Sequence, residues 1–266
     1  MNNKHQTPKN VLEPAIFHNW ADLYMPRIAN RILLPWVSKI NFLTPNVITV
    51  ISFFLYILGC LMIFIDVPYH LYFTAVLLPL GYIGDCLDGQ VARTRNLSSP
   101  VGNYLDKVLD VLKIFVLTAS LAYGAYLNTH EIIYIFLGFT ACFFFNFRYY
   151  IKLETIFSQC NSNPNYLSEC ADRKIELLKE REIKYNNLNK TFIGKIKLFW
   201  LKNRVVFWVD EEQFVVFTSI AAILNKIEIV LWIFAVSQVL IAVWRLFERG
   251  YQTAKNPEKL LDPMRK

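Results

Sequence analysis

Gly84-Asp85-Cys86-Leu87-Asp88-Gly89-Gln90-Val91-Ala92-Arg93, and shortly after it Gly102-Asn103-Tyr104-Leu105-Asp106-Lys107-Val108-Leu109-Asp110, form the stretch that decides the fold. An apolar run over residues 69–94 carries the first half, and one over 102–127 carries the second. Each is long enough to cross a bilayer core as a helix, which takes about 20 residues. A carboxylate in such a run costs several kcal/mol unless it is paired or hydrated, so four of them mark a functional site. On a helix Asp85 and Asp88, three apart, share one face, and so do Asp106 and Asp110, four apart. The link at 95–101 is short enough to make the two helices antiparallel neighbours. All four carboxylates are then expected to converge near the helix ends that meet at the link.

Four anions held together need cations. Hard oxygen ligands without histidine or cysteine favour Mg²⁺ or Mn²⁺ over zinc or copper. A di-iron bundle would carry Glu-x-x-His pairs, and the sequence has none. Gly84, Gly89, Ala92 and Gly102 are small residues, which allow helices to pack closely or a ligand to reach the backbone. Arg93, one turn beyond Gly89, suits either a phosphate contact or an interfacial snorkelling position.

The rest of the chain reads as membrane protein. Of its 266 residues 55% are hydrophobic and 18% charged, a balance that suits a polytopic membrane protein. The expected fold is all-α, with six transmembrane helices at about 46–65, 69–94, 102–127, 131–150, 211–225 and 227–247. Residues 1–45 form an N-terminal segment. Within it Phe17, Trp20, Leu23, Tyr24, Ile28, Ile32, Trp36 and Ile40 recur at helical spacing among Arg27, Arg31 and Lys39, as in an interfacial amphipathic helix kinked by Pro26 and Pro35. Residues 46–250 form the helical domain, with a cytoplasmic insertion at about 152–210, and 251–266 form a tail. In the insertion, Asn161 to Asn165 reads as a turn, 168–188 as a solvated helix and 190–205 as a membrane-surface helix. Thr44 caps the first span and Pro45 takes its first position.

Lysine and arginine set the orientation. They cluster before the first span, between the second and third, between the fourth and fifth, where eleven occur from Lys152 to Arg204, and in the tail. The other links carry only Lys226. By the positive-inside rule both termini and the site are cytoplasmic, and the expected location is the plasma (inner) membrane. This sidedness also accounts for the net charge of +7, so nucleic acid is not an expected partner. Five cysteines without a CxxC pair and four scattered histidines offer no zinc site.

Read whole, Asp85-x2-Asp88-Gly89-x2-Ala92-Arg93-x8-Gly102-x3-Asp106-x3-Asp110 resembles the signature of the CDP-alcohol phosphatidyltransferase family at every fixed position and gap. The six spans and Leu43-Thr44-Pro45-Asn46-x2-Thr49 are also similar to that family; the resemblance covers roughly 40–150, and the 152–210 segment is longer than expected of a minimal member. The resemblance implies that Asp85, Asp88 and Asp106 coordinate two divalent metals with Asp110 contributing, and that Asp110 is also the general base for the acceptor hydroxyl. It implies that Gly89 and Arg93 contact the CDP moiety, with Asn46, Thr49 and Ser99 as further candidates and Ala92 and Gly102 as structural small residues. The implied reaction transfers a phosphate-linked group from a CDP-alcohol to an acceptor alcohol and releases CMP.

The acceptor is less legible. Lys113, nearly on the face of Asp110, is either a charge partner for the acids or a clamp for a phosphorylated acceptor, and Arg148 either joins that clamp or snorkels. Glu211 and Glu212 either bind a cationic group or favour a helix N-terminus. Three functions fit: phospholipid synthesis from CDP-diacylglycerol, transfer of a soluble CDP-activated headgroup to a lipid or other alcohol, and, in another class, metal or proton transport. Membrane lipid is a partner in each, and the apolar surface is compatible with a homodimer.

Overall fold

In the computed structural model, residues 25, 28–40, 42–65, 67–173, 176, 187, 190–195, 209–255 and 260 are described. Six helices dominate: α1 (Pro45–Leu61), α2 (His70–Thr94), α3 (Pro100–Thr129), α4 (Ile133–Ser162), α5 (Glu211–Ile223) and α6 (Ile227–Lys255). They start where the six apolar runs start, and no strand occurs among the described residues. Local chemistry sets those starts. Thr44 accepts from the Val47 N–H at 3.4 Å with Pro45 behind it, and Ser99 accepts from the Gly102 N–H at 3.0 Å with Pro100 behind it. Asp210 and Gln213 form a reciprocal capping box at the start of α5.

Three helices, α2, α3 and α6, with 25, 30 and 29 residues, are long and apolar enough to cross a membrane, and the chain is an integral membrane protein. The expected six spans meet that standard only in part. α1 is apolar but has 17 residues. α5 has 13 residues, about 20 Å of helix against a core of about 30 Å. α4 is long, but Asn146 and Arg148 interrupt its apolar half, and it runs on to Ser162, ten residues into what reads in the sequence as cytoplasmic insertion.

The helix partners differ from the expected antiparallel pair. α2 packs chiefly along α1 and α5 rather than along α3, while α4 lies against α3 and α6. Small residues explain the α1–α2 seam. A Cβ on Gly81 would stand 2.8 Å from the Tyr56 backbone nitrogen and 2.9 Å from the Ser52 carbonyl oxygen, and one on Gly84 would collide with the Ser52 hydroxyl. The seam therefore closes backbone to backbone. The main core lies between the helices. Within it Phe214 of α5 stacks on Phe234 of α6 with centroids 3.8 Å apart, and Phe145 of α4 meets Phe214 edge-on at 5.4 Å.

Ahead of α1, Ala29–Leu33 forms one π-helical stretch and Leu34–Val37 a short α-helix, with Pro35 in the latter's first turn. Ala29 packs against Ile48, Ile83, Leu87 and Val91, while Ile32, Trp36 and Phe42 are exposed. The Arg95 guanidinium donates to the carbonyls of Val37, Ile40 and Leu43 at 2.8–2.9 Å. It thereby closes the end of this segment onto α2, a role the sequence reading missed. Residues 1–24, most of 174–208 and most of the tail lie outside the described residues, as do Pro26 and the larger part of each of the two helices expected at 168–188 and 190–205. The turn expected near Asn163 is present: its side chain accepts from the Asn165 N–H at 2.9 Å.

Candidate active site

The acidic residues gather where α2 ends and α3 begins, with the start of α1 on one side and the start of α5 on the other. Asp85, Asp106 and Asp110 each offer a carboxylate oxygen, and these oxygens lie within 4.8 Å of one another. Asp88 does not share that point. Its Oδ2 accepts a short hydrogen bond from the Thr49 hydroxyl of α1, and the residue is buried. The four expected together are thus three plus one. The i,i+3 spacing puts Asp85 and Asp88 on one side of α2, but α1 draws Asp88 toward itself.

Two lysines answer the negative charge. Lys113 Nζ lies 2.5 Å from Asp85 Oδ1 and 3.1 Å from Asp110 Oδ1, and its side chain is only 2% exposed. Lys107 Nζ lies 2.7 Å from Asp106 Oδ2 and 3.0 Å from Asp110 Oδ2, largely in the open. The buried lysine therefore pairs α2 with α3 across the site, as the charge-partner reading expects. The donor set of three hard carboxylate oxygens, already holding two ammonium groups among them, fits Mg²⁺ or Mn²⁺.

Gly89 faces open space. A Cβ there would meet only the Arg93 guanidinium, at 3.5 Å. Protein packing does not require this glycine, unlike Gly81 and Gly84. Arg93 itself is exposed. At the opposite end Gly102 keeps Ser99 and Asn46 close: its added Cβ would lie 3.2 Å from the Ser99 hydroxyl and 3.6 Å from Asn46 Oδ1. Ser99 spends its hydroxyl as the α3 cap, and Ala92 is half-buried.

Arg148 is placed away from this cluster's oxygens. Its Nη2 donates to Asp210 Oδ1 at 2.6 Å, its Nη1 donates to the Val209 carbonyl at 3.3 Å, and its guanidinium lies over the Phe145 ring. It ties α4 to the cap of α5 instead of lining a clamp with Lys113.

Sequence reasoning missed a polar layer beneath the acids. The Tyr82 hydroxyl donates to Glu212, Tyr56 is fully buried, and Glu211 Oε1 stands 4.0 Å from Lys113 Nζ. Signals existed for the tyrosines. Tyr82 precedes Asp85 by three residues, and Tyr56 follows Thr49 by seven, both spacings that keep one helix face.

Carboxylate oxygens converge at these helix ends in a group that could hold a metal ion, beside a glycine face with open space and an arginine one turn on. Residues 42–160, from just before α1 to near the end of α4, match the family described as CDP-alcohol phosphatidyltransferase. Over 115 residues it is 33% identical to the bifunctional IPC transferase and DIPP synthase of Thermococcus kodakarensis, a match covering 43% of this chain and 24% of that protein. Over 78 residues it is 35% identical to an uncharacterized protein of Aquifex aeolicus, covering 29% of this chain and 38% of that one. The chain thus spans well under half the length of these curated relatives.

Proposed function

We propose that this protein transfers a phosphate-linked group from a CDP-alcohol, with CDP-diacylglycerol as the donor, to an acceptor alcohol, releasing CMP. The observation that carries the reading is the cluster of Asp85, Asp106 and Asp110 oxygens beside the open Gly89–Arg93 face. Asp85, Asp88, Asp106 and Asp110 would hold two divalent cations, Mg²⁺ or Mn²⁺. When bound, such cations neutralise the pyrophosphate oxygens and the CMP leaving group. Gly89 lets the donor come close to the α2 backbone, and Arg93 pairs with its phosphates. Asn46 stands beside Gly102 near the start of α3. Asp110 accepts the proton of the acceptor hydroxyl as its oxygen bonds to phosphorus and the bond to the CMP oxygen breaks. Thr49 holds Asp88, and Lys113 balances Asp85 and Asp110.

A lipid-borne donor suits the surroundings. Val101, Tyr104, Val108, Val111 and Leu112 are exposed along α3 beside Asp106 and Asp110. An acyl chain packs against such a surface while the CDP head reaches the acids. The charge pattern supports six spans, with both termini and the site on the cytoplasmic side of the plasma membrane.

The test is CMP release by purified protein from CDP-diacylglycerol over a panel of acceptors, with and without Mg²⁺ or Mn²⁺. Release that needs one acceptor and one of the metals, and that falls about 10²–10⁴-fold in Asp110→Asn, supports the reading. Activity only with soluble CDP-alcohols reverses the roles of donor and lipid. Silence with every donor, in folded protein that binds metal, favours transport.

A further inference from the structure

Lys113 is an unusual occupant of an apolar helix. Its ammonium stands between Asp85 and Asp110, at 2.5 and 3.1 Å, with almost no exposure. Those are two of the oxygen sources that the proposed cations need. A lysine ammonium and a divalent ion repel each other strongly in a buried site. Loading the site therefore requires the ammonium to go elsewhere without being left unpaired, since an isolated buried charge is costly.

A second seat lies next to the first. Glu211, the first residue of α5, places Oε1 4.0 Å from Lys113 Nζ, and this buried oxygen has no hydrogen-bond partner among the described residues. Tyr56 of α1 is fully buried, its hydroxyl likewise lacks a partner, and it lies within electrostatic reach of Glu211, Asp85 and Asp110. Unbonded buried polar atoms each cost about 1–3 kcal/mol, and a lysine with three donors is suited to relieve them. Glu211 lies outside residues 42–160, so the family match assigns it nothing.

We propose that Lys113 is a two-seat counter-ion, which neutralises Asp85 and Asp110 in the cation-free protein and moves onto Glu211 when divalent cations take those carboxylates. Glu211 is then a positioning residue for cation loading. The proposal rests on the cation reading of the site given above.

The test is a double-mutant cycle on Mn²⁺ affinity, with free Mn²⁺ read by electron paramagnetic resonance on the full chain in lipid nanodiscs. Glu211→Gln traps Lys113 on the site and weakens Mn²⁺ binding about tenfold, the loss expected for one charge-assisted contact. Lys113→Gln removes the competing cation and tightens binding. In the Lys113→Gln background, Glu211→Gln then changes affinity by no more than about twofold, because the interaction between the two sites is gone. Far-UV circular dichroism and gel-filtration volume verify the fold of each variant. If Glu211→Gln does not fold, Glu211→Asp goes through the same cycle, with a smaller effect of the same sign. Equal losses in both backgrounds overturn the proposal, because Glu211 would then be acting only as a nearby negative charge. A wild-type protein that binds no Mn²⁺ overturns the cation reading and this proposal with it.

Discussion

Two glycines one helical face apart make opposite predictions for the same substitution. Replacing glycine by alanine inside a helix gains about 1 kcal/mol of backbone propensity at either place. At Gly81 the new Cβ would stand 2.8 Å from the Tyr56 nitrogen and 2.9 Å from the Ser52 oxygen, both backbone atoms of α1 that cannot rotate away. Relief requires α1 and α2 to separate, and overpacking of this kind costs about 1–3 kcal/mol. With backbone on the far side the cost belongs at the upper end, leaving Gly81→Ala about 2 kcal/mol less stable. That corresponds to a melting midpoint lower by about 5 °C. At Gly89 the same methyl meets only the end of a flexible arginine at 3.5 Å, so the fold loses nothing. If the CDP moiety approaches the backbone there, the overpacking falls on the donor instead, about ten- to hundredfold in donor KM. The assay pairs thermal unfolding in detergent with CMP release against donor concentration. Gly89→Ala melting as early as Gly81→Ala, or keeping its donor KM, would refute the assignment of the open face to the donor.

Other substitutions separate positioning from binding. Thr49→Val removes the hydroxyl that donates to Asp88 and is expected to weaken Mn²⁺ affinity or turnover about 10–100-fold, as loss of a supporting hydrogen bond does at metal sites; unchanged Mn²⁺ affinity and turnover would detach Asp88 from the site. Arg148→Ala takes the guanidinium away from the half-buried Asp210, which keeps its capping contact, and costs about 1–3 kcal/mol. It is expected to lower the melting midpoint while leaving the acceptor KM of the folded fraction unchanged. A raised acceptor KM with normal stability would return Arg148 to the acceptor.

Spacing along one helix was readable; partnership between helices was not. The faces shared by Asp85 with Asp88 and by Asp106 with Asp110 follow from 3.6 residues per turn, and Thr44, Pro45 and Pro100 mark helix starts by local chemistry alone. Which side chains then meet depends on how helices cross, and the crossing is set by residues with no chemistry of their own. Gly81 and Gly84 bring α1 onto α2, and that approach puts Thr49 against Asp88 and takes Asp88 away from the other three acids. Lys113 and Arg148 make the same point. Each had two sequence readings; Lys113 pairs with Asp85, and Arg148 with Asp210, a partner neither of its readings named, and these partners lie 28 and 62 residues away along the chain. Glu211 lies still farther from Lys113 in sequence, and only the folded bundle sets it 4.0 Å away. The family signature stops before α5, yet α5 packs on α2 and brings the Glu211 carboxylate beside Lys113. Loading of the site with cations is therefore expected to depend on a helix that the signature does not include.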